Sequence, residues 1–513
     1  MVDDTAALGG AVPAARQAHS YRDILKSSAI IGGSSAINVA IGIVRTKAMA
    51  VLLGPSGYGL MGAYLLIAEL TRNLAQLGIN ASGVRQIAEA QASGDGARIA
   101  RTVAVLRRTS LACAVLGAVM LAVLSAPVAR LTFGDDRHAG AVALLSLAVF
   151  FSLVAGGQGA LLQGMRRIGD LARLSVLGGV LGTLVAVALV HAFGPAGLVP
   201  ALVIAAACSV VASWWYSRRI AVAAPQMRAW EIAVDAGALL KLGLAFMASG
   251  LLTAGAAYAV RIVVLRQVGI EAAGIYHAAR TLGGLYIGFV LQALGTDFYP
   301  RLVGAARDNA QCNRLVNEQA QVSLLLAIPG VLATLTFASI AVSLFYSPSF
   351  AGAAGVLRWI CLGMALRVLT WPIGYIVVAK NRQALFFMLE LAWTLVNIGL
   401  TWWCVEAFGV EGAGIAFFGS YVFHALLMYP VVRRLSGFRW SRANRHAALG
   451  SLAAIALVFI GFQALPPALA VLLGVLSTAA SGYVAARRLM QLVSPQRLPR
   501  PVAWILQWRK LSP

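Results

Sequence analysis

Long apolar runs separated by short polar turns make up most of this chain. About fourteen of these runs are long enough, and carry few enough charges, to cross a membrane at about 20 residues per crossing. The predicted spans are 27–53, 58–84, 109–130, 138–163, 171–193, 197–217, 238–266, 272–299, 319–345, 350–379, 384–406, 412–432, 446–465 and 467–486. They leave no stretch long enough for a water-soluble domain. The pattern therefore predicts an all-α polytopic membrane protein.

The composition supports this fold class. Hydrophobic residues make up 60% of the 513 residues, only 12% are charged, and the mean hydropathy is +0.81. The first twenty residues lack the basic start and apolar core of a signal peptide, so we expect the first helix to be an uncleaved span. The five cysteines show neither a disulfide framework nor a metal-ligand spacing.

The net charge of +23 is a signal of topology, because the basic residues are unevenly distributed. Of the 41 Lys and Arg residues, 31 fall in the tails and alternate loops on one side, three fall on the other side and seven lie within spans. This bias follows the positive-inside rule. It predicts a protein of the bacterial inner membrane with both termini in the cytoplasm, and it removes the reason to expect nucleic-acid binding.

The chain contains an internal repeat at an offset of 215 residues. Gly54 aligns with Gly269 and Gly59 with Gly274, and the same offset brings Arg218-Arg219 onto Arg433-Arg434. Each copy holds six spans, an even number, so both copies enter the membrane from the same side. We therefore predict two parallel six-helix lobes around a central cavity. The predicted segments are a cytoplasmic tail (1–25), an N-lobe (26–222), a cytoplasmic linker (223–237), a C-lobe (238–436), an additional helix pair (446–490) and a basic cytoplasmic tail, either amphipathic or disordered (491–513).

Cations inside the predicted spans indicate an anion-binding site. Each charge costs roughly 2.5–3.5 kcal/mol at the middle of a membrane helix, so such residues usually face a cavity. At about 1.5 Å per residue, Arg45, Arg261, Arg280 and Arg358 lie about 12–14 Å from the outer turns, and Arg72 lies about 22 Å from them. The candidate anion-binding residues are Arg45, Lys47, Arg72, Arg261, Arg280 and Arg358.

Bland explanations also exist for these charges. Each cation could form a structural ion pair, contact a carbonyl group or extend toward a lipid headgroup. Arg45 and Lys47 point in different directions because they are about 200° apart around one helix. Glu69, Glu390 and Asp297 are candidates for coupling transport to Na⁺ or H⁺, although Glu69 could instead neutralise Arg72 and Asp297 could form a helix-end pair. We expect no cofactor and no bound metal.

Four stretches of this sequence resemble the bacterial O-antigen translocases (the Wzx-type flippases), and in particular the enterobacterial common antigen flippases. The resemblance covers roughly residues 24–436. It is carried by KAMAVLLGPSGYGLMGAY, NLAQLGINASGVRQIAE, GYIVVAKNRQALFFMLEL and FGVEGAGIAFFGSYVFHALLMYPVVRRL. These flippases belong to the multidrug/oligosaccharidyl-lipid/polysaccharide exporters, which share two six-helix lobes and alternating access.

The resemblance implies an undecaprenyl-pyrophosphate-linked oligosaccharide as substrate, moved from the cytoplasmic to the periplasmic leaflet. It implies membrane lipids, and the polysaccharide polymerase and chain-length machinery, as partners. Translocases of this group tend to carry a lysine at the position of Lys47, whereas the lipid II flippases carry an arginine at the position of Arg45. The family pattern therefore leaves open which of the two contacts the pyrophosphate together with Arg261 and Arg280. The additional helix pair is similar to that of the fourteen-helix lipid II flippases.

Three other functions fit less well. A lipid II flippase and a drug or cation antiporter belong to the same superfamily. An antiporter for cations should present carboxylates, but bases outnumber acids seven to three within the spans. A polymerase or ligase of lipid-linked sugars needs a substantial outer loop, and the longest predicted outer loop covers only 133–140. The sequence therefore favours a transporter over an enzyme.

Overall fold

The computed structural model describes residues 14–220, 225 and 227–492, with side chains described from Gly33 onward. The predicted basic tail at 493–513, the first thirteen residues and positions 221–224 and 226 lie outside the described residues. The described chain is built from α-helices and two short 3₁₀ turns, Gly194–Gly197 and Pro348–Phe350, and it contains no β-strand.

The first seven helices cover the first half of the chain. They are α1 (Ala14–Gln76), α2 (Ile79–Ala92), α3 (Gly96–Val123), α4 (Ser125–Phe133), α5 (Ala139–Gly164), α6 (Ile168–Phe193) and α7 (Leu198–Ser217). Helix α1 is bent at Gly54, which adopts φ 63° directly before Pro55. Proline lacks an N–H and restricts the residue before it, and only glycine enters the left-handed region without penalty. The predicted Gly-Pro turn between the first two spans is thus a sharp bend within one long helix.

The next nine helices cover the rest of the described chain. They are α8 (Ala229–Gln267), α9 (Ile270–Gly304), α10 (Asn309–Thr336), α11 (Ala338–Phe345), α12 (Ala353–Ala379), α13 (Gln383–Phe408), α14 (Val410–Ser436), α15 (Arg442–Ala464) and α16 (Pro467–Leu492). Helices α3 and α10 begin in the same way: the carboxylates of Asp95 and Asp308 each accept two backbone N–H groups of the first turn. Such caps satisfy donors that the helix leaves unpaired.

The backbone shows the same repeat as the sequence. Left-handed or positive φ values occur at Gly54 and Gly269, at Arg166 and Asn381, and at Gly194 and Gly409, and each pair is 215 residues apart. Helices α6 and α13 also begin and end at positions with this offset. Because backbone conformation responds to sterics and not to residue identity, the agreement at Arg166 and Asn381 shows one local structure used twice.

The predicted count of fourteen spans is not confirmed. Ten stretches of the described chain are long and apolar enough to cross a membrane, and two of them, Gly33–Gln76 and Ile168–Ser217, each run through two predicted spans. The predicted boundaries near 109 and 319 are wrong, because α3 and α10 begin ten or more residues earlier with polar turns. Hydropathy detects the apolar part of a helix but not a polar extension of the same helix.

The described chain divides into two compact units. The first takes the described residues within 1–52, 67–130 and 135–251, and the second takes those within 53–66, 131–134 and 252–513. The first unit has a buried cluster around Ile79, Leu106 and Leu161. The second has a larger one around Leu302, Ile376 and Val432. The predicted lobe boundaries stay a prediction.

The helix pair α15–α16 is fixed to the second unit by polar contacts and by rings. The side chain of Asn317 on α10 accepts from the Ser441 N–H (2.8 Å) and donates to the Arg439 carbonyl (3.1 Å). The rings of Trp359 on α12 and Phe459 on α15 lie 4.6 Å apart. The start of the pair and its middle are therefore both anchored.

Candidate functional site

Three of the predicted anion-binding residues lie in the first unit. Arg45 is exposed, and no described carboxylate lies within ion-pair distance of it. Lys47 is half-buried on another face of α1, close to the buried Met49. Arg72 is exposed, as is Glu69, and the two side chains form no ion pair with each other. Mutual neutralisation therefore does not explain Glu69 and Arg72.

Arg261 on α8 is the most deeply buried of the predicted cations, with 6% of its surface exposed. Its Nη2 lies 2.6 Å from Nδ1 of His277 on α9. Its Nε and Nη1 have no hydrogen-bond partner within the described chain. Gly62 leaves room for the guanidinium, because a Cβ there would overlap Nη1. A buried guanidinium with free donors is costly unless an anion completes its coordination.

The surroundings of Arg261 are aromatic. The Tyr58 ring lies 5.1 Å from that of His277 and makes edge contacts with Tyr346 (5.4 Å) and Phe350 (5.6 Å). These rings exclude water from the charge and strengthen any electrostatic interaction there. His277 attracted no role in the sequence, because its partner lies sixteen residues away on a different helix.

Two further predicted residues have specific partners in the second unit. Arg358 on α12 lies 4.1 Å above the Phe462 ring of α15 and donates to Ser339 Oγ at 3.3 Å. Asp297 near the end of α9 pairs with Arg301 at 2.9 Å, and both side chains are exposed. Arg358 thus contacts the additional helix pair, and Asp297 has the geometry of a helix-end pair.

A cavity of about 440 Å³ opens among helices α8, α9, α12, α13 and α14 of the second unit. It is lined by charged, polar and aromatic side chains. They are Thr253, Arg280, Arg367, Thr370, Trp371, Tyr375, Phe386, Glu390, Trp393, Tyr421 and His424, together with Gly374, Val378 and Met428. The cavity thus brings together Arg280 and Glu390, which the sequence proposed for different roles.

The charges in this cavity are only partly compensated. Glu390 Oε1 lies 3.9 Å from Nε2 of His424. Arg280 stacks on the Phe417 ring at 4.6 Å, and within the described chain neither Arg280 nor Arg367 has a carboxylate within ion-pair distance. Two guanidinium groups therefore share the cavity with one carboxylate.

Sequence reasoning gave no role to Arg367 or His424, although both line this cavity. The only signal was their position within apolar spans, since Glu390 and His424 lie on neighbouring helices and no spacing rule connects them. In the described chain, no group of three or more His, Cys, Asp or Glu side chains is arranged to hold a metal ion.

The apolar helices and the charges buried among them define a multi-pass membrane transport protein. The family described as "Polysaccharide biosynthesis protein" matches residues 48–354, which is more than half of the chain. The chain belongs to this family of polysaccharide biosynthesis.

Known relatives are flippases and transporters. The lipid III flippase of Escherichia coli (strain K12) is 22% identical over 409 residues, which cover 78% of this chain and 95% of that protein. The lipid II flippase MurJ in an inward closed conformation has a TM-score of 0.67 and 13% identity, over 91% of this chain and 100% of that structure. An inward-facing multidrug resistance MATE transporter of the MOP superfamily has a TM-score of 0.60 and 16% identity, over 78% and 94%. These structures show a shared fold.

Proposed function

We propose that this protein is a flippase that moves an undecaprenyl-pyrophosphate-linked oligosaccharide from the cytoplasmic to the periplasmic leaflet by alternating access. The observation that carries the proposal is the 409-residue match to a lipid III flippase, within a family of polysaccharide biosynthesis. The product would serve cell-surface polysaccharides such as O-antigen, enterobacterial common antigen or exopolysaccharide. The protein would lie in the bacterial inner membrane with both termini in the cytoplasm.

The pyrophosphate gives the buried cations a function. Arginine binds two oxygens of a phosphate at once through its planar fork, and charged hydrogen bonds of this kind are stronger than neutral ones. The free Nε and Nη1 donors of Arg261 support this role. We assign Arg261 and Arg280, with Arg45 or Lys47, to the pyrophosphate, and we keep Arg72 and Arg358 as secondary candidates.

The membrane potential offers a driving force. An inside-negative potential favours outward movement of an anion by about 2.3 kcal/mol per charge per 100 mV. Coupling to Na⁺ or H⁺ through Glu69, Glu390 or Asp297 is the alternative, and Glu390 is the one of the three that lines the cavity. Collapsing the potential with valinomycin should reduce net outward flux, whereas an unchanged flux would exclude the potential as the driving force.

The test is flipping of a fluorescent polyprenyl-pyrophosphate oligosaccharide in proteoliposomes. We expect Arg45→Gln/Arg261→Gln to reduce the flipping rate at least tenfold in a protein that still folds. The matched control is Arg382→Gln/Arg434→Gln, two exposed arginines outside the cavity. Full activity of the first double variant would remove these two residues from the pyrophosphate site. A wild type that is inactive on every such lipid would contradict the proposed function.

A further inference from the structure

The cavity of the second unit contains polar atoms that the protein itself leaves unsatisfied. His424 is 8% exposed, and its Nδ1 has no hydrogen-bond partner in the described chain. Nε1 of Trp393 is also buried and unpartnered. Buried polar groups normally find partners, and exceptions call for an explanation such as a ligand. Two unsatisfied groups beside one cavity therefore point to a molecule that supplies both a donor and an acceptor.

The walls of the cavity are aromatic on two sides. Trp371 and Tyr375 of α12 lie 4.9 Å apart on one side. Trp393 of α13 and Tyr421 of α14 lie 5.4 Å apart on the other. Aromatic faces bind apolar C–H surfaces, and Trp and Tyr carry a polar group at their edge. The volume of about 440 Å³ falls within the range of small-molecule sites, roughly 300–1,000 Å³.

This combination matches the chemistry of a sugar ring. A pyranose has apolar C–H faces that can lie against rings, and its rim carries hydroxyl groups that both donate and accept hydrogen bonds. In the cavity, Glu390 and His424 can accept, and Trp393 and the guanidinium groups can donate. A drug-like cation would instead require an excess of carboxylates, whereas here the guanidinium groups exceed the carboxylate by one.

The charge excess narrows the sugar to an acidic one. Arg367 donates only a long contact to Met364 Sδ (4.0 Å) and forms no ion pair with the described residues. The pyrophosphate assignment leaves it unused. A carboxylate on the sugar ring would give this guanidinium a bidentate partner, which is among the stronger hydrogen-bonded pairs in proteins.

We propose that this cavity is a subsite for a hexuronate residue of the transported glycan. The sugar ring lies between the Trp371–Tyr375 and Trp393–Tyr421 pairs, and its carboxylate binds Arg367. His424 and Glu390 bind hydroxyl groups on the ring. The role of the cavity in transport rests on the proposed flippase function, but binding of the sugar does not.

The first test measures binding by the purified full-length protein in nanodiscs. Saturation-transfer NMR compares methyl glucopyranosiduronate, methyl glucopyranoside and inorganic pyrophosphate as probes. We expect the uronate to bind at least tenfold more tightly than the neutral glycoside, and Arg367→Gln to abolish this preference. Arg434→Gln, which removes an exposed arginine from α14, should keep it. Equal binding of the two glycosides, or a preference that survives Arg367→Gln, would overturn the assignment.

A second variant guards against a folding defect in Arg367→Gln. Trp393→Phe keeps an aromatic ring but removes the unpartnered N–H. We expect it to weaken binding of both glycosides by a similar factor, about threefold to tenfold, without changing the preference for the uronate. Unchanged binding of both would contradict the placement of the sugar beside Trp393.

Flipping separates this inference from the proposed function. The substrates are a polyprenyl-pyrophosphate glycan containing glucuronate and the same lipid with its carboxyl group reduced. Arg367→Gln should slow the acidic lipid at least tenfold and the reduced lipid less than twofold. Equal slowing of both would overturn the uronate subsite. A wild type that binds uronate through Arg367 but flips neither lipid would refute the flippase function and support the subsite.

Discussion

Arg261 is the residue at which stability and function should conflict. Its guanidinium is buried, and two of its nitrogens have no partner in the described chain. Replacing a buried charge by an apolar side chain of similar size is often neutral or stabilising. A binding site for an anion is therefore expected to make the empty protein less stable than it could be.

We predict that Arg261→Met raises the thermal stability of the empty protein and reduces flipping more than tenfold. Removing unsatisfied buried donors should stabilise by at least about 1 kcal/mol. Thermal melting in nanodiscs and the flipping assay measure the two effects, and Arg434→Met is the control that should change neither. A lower melting temperature would instead make the Arg261–His277 contact a structural requirement.

Asp136 provides a prediction about pH outside the membrane spans. Arg130 donates a hydrogen bond of 2.6 Å to its carboxylate, which lowers the pKa of Asp136 below its ordinary value. A lowered folded-state pKa gives stability that is present above the ordinary pKa and is lost as the pH falls through the lowered one. Both side chains are exposed, so the effect should be small.

We expect the melting temperatures of wild type and Asp136→Asn to differ by the same small amount at pH 7 and pH 5. The difference should disappear as the pH falls below about 4, where the carboxylate becomes protonated in both states. Adding Arg130→Gln to Asp136→Asn should cause little further change at pH 7. A difference that changes between pH 5 and pH 7 would mean that another group titrates with this pair.

At the scale of elements, the repeat places equivalent residues in direct contact. Gly59 and Gly274 are 215 residues apart and both belong to the second unit. A Cβ on Gly274 would lie 3.0 Å from the Gly59 nitrogen and would overlap the Pro55 carbonyl oxygen. A Cβ on Gly59 would in turn overlap the carbonyl oxygen of Ile270, which is the equivalent of Pro55. Small residues allow membrane helices to approach this closely.

Gly274→Val should destabilise the protein, because backbone atoms cannot move aside as a flexible side chain can. Overpacking of this kind costs about 1–3 kcal/mol. Gly288→Val on the same helix is the control, since a Cβ there meets no atom within 4 Å. Thermal melting of both variants provides the measurement. Equal melting temperatures would show that the helices can separate at this crossing without loss of stability.

For the molecule as a whole, the distribution of charge predicts orientation. The basic residues place the turn at 380–382 in the cytoplasm and the turn at 134–138 in the periplasm. All five native cysteines are free; four are buried and Cys208 is half-buried. Their burial keeps the background low for labelling with a thiol reagent.

We predict that Asp135→Cys reacts with a membrane-impermeant maleimide in intact spheroplasts and that Arg382→Cys reacts only after the membrane is opened. Both positions are exposed in turns, so the difference reports orientation and not burial. The wild type serves as the background control. The reverse pattern of labelling would mean that both termini face the periplasm.

Much of the fold was predictable because it depends on local chemistry. Apolar runs predicted the helices, and matched glycines predicted a repeat that the backbone shows again at Arg166 and Asn381. The helix starts were less accessible, since the polar first turns of α3 and α10 carry no hydropathy signal. The caps at Asp95 and Asp308 mark these starts, but only their hydrogen bonds distinguish them from other polar residues.

The sequence by itself determined that this is a polytopic helical membrane protein with a duplicated architecture and costly charges inside its spans. Hydrophobicity and repetition are properties of residues in order, so they can be read without a structure. Only the tertiary structure decided which charges share a cavity: it joined Arg280, Arg367, Glu390 and His424, and it directed Arg358 toward Phe462. These residues lie on different helices, and the rotation and packing of those helices depend on contacts between segments far apart in the chain.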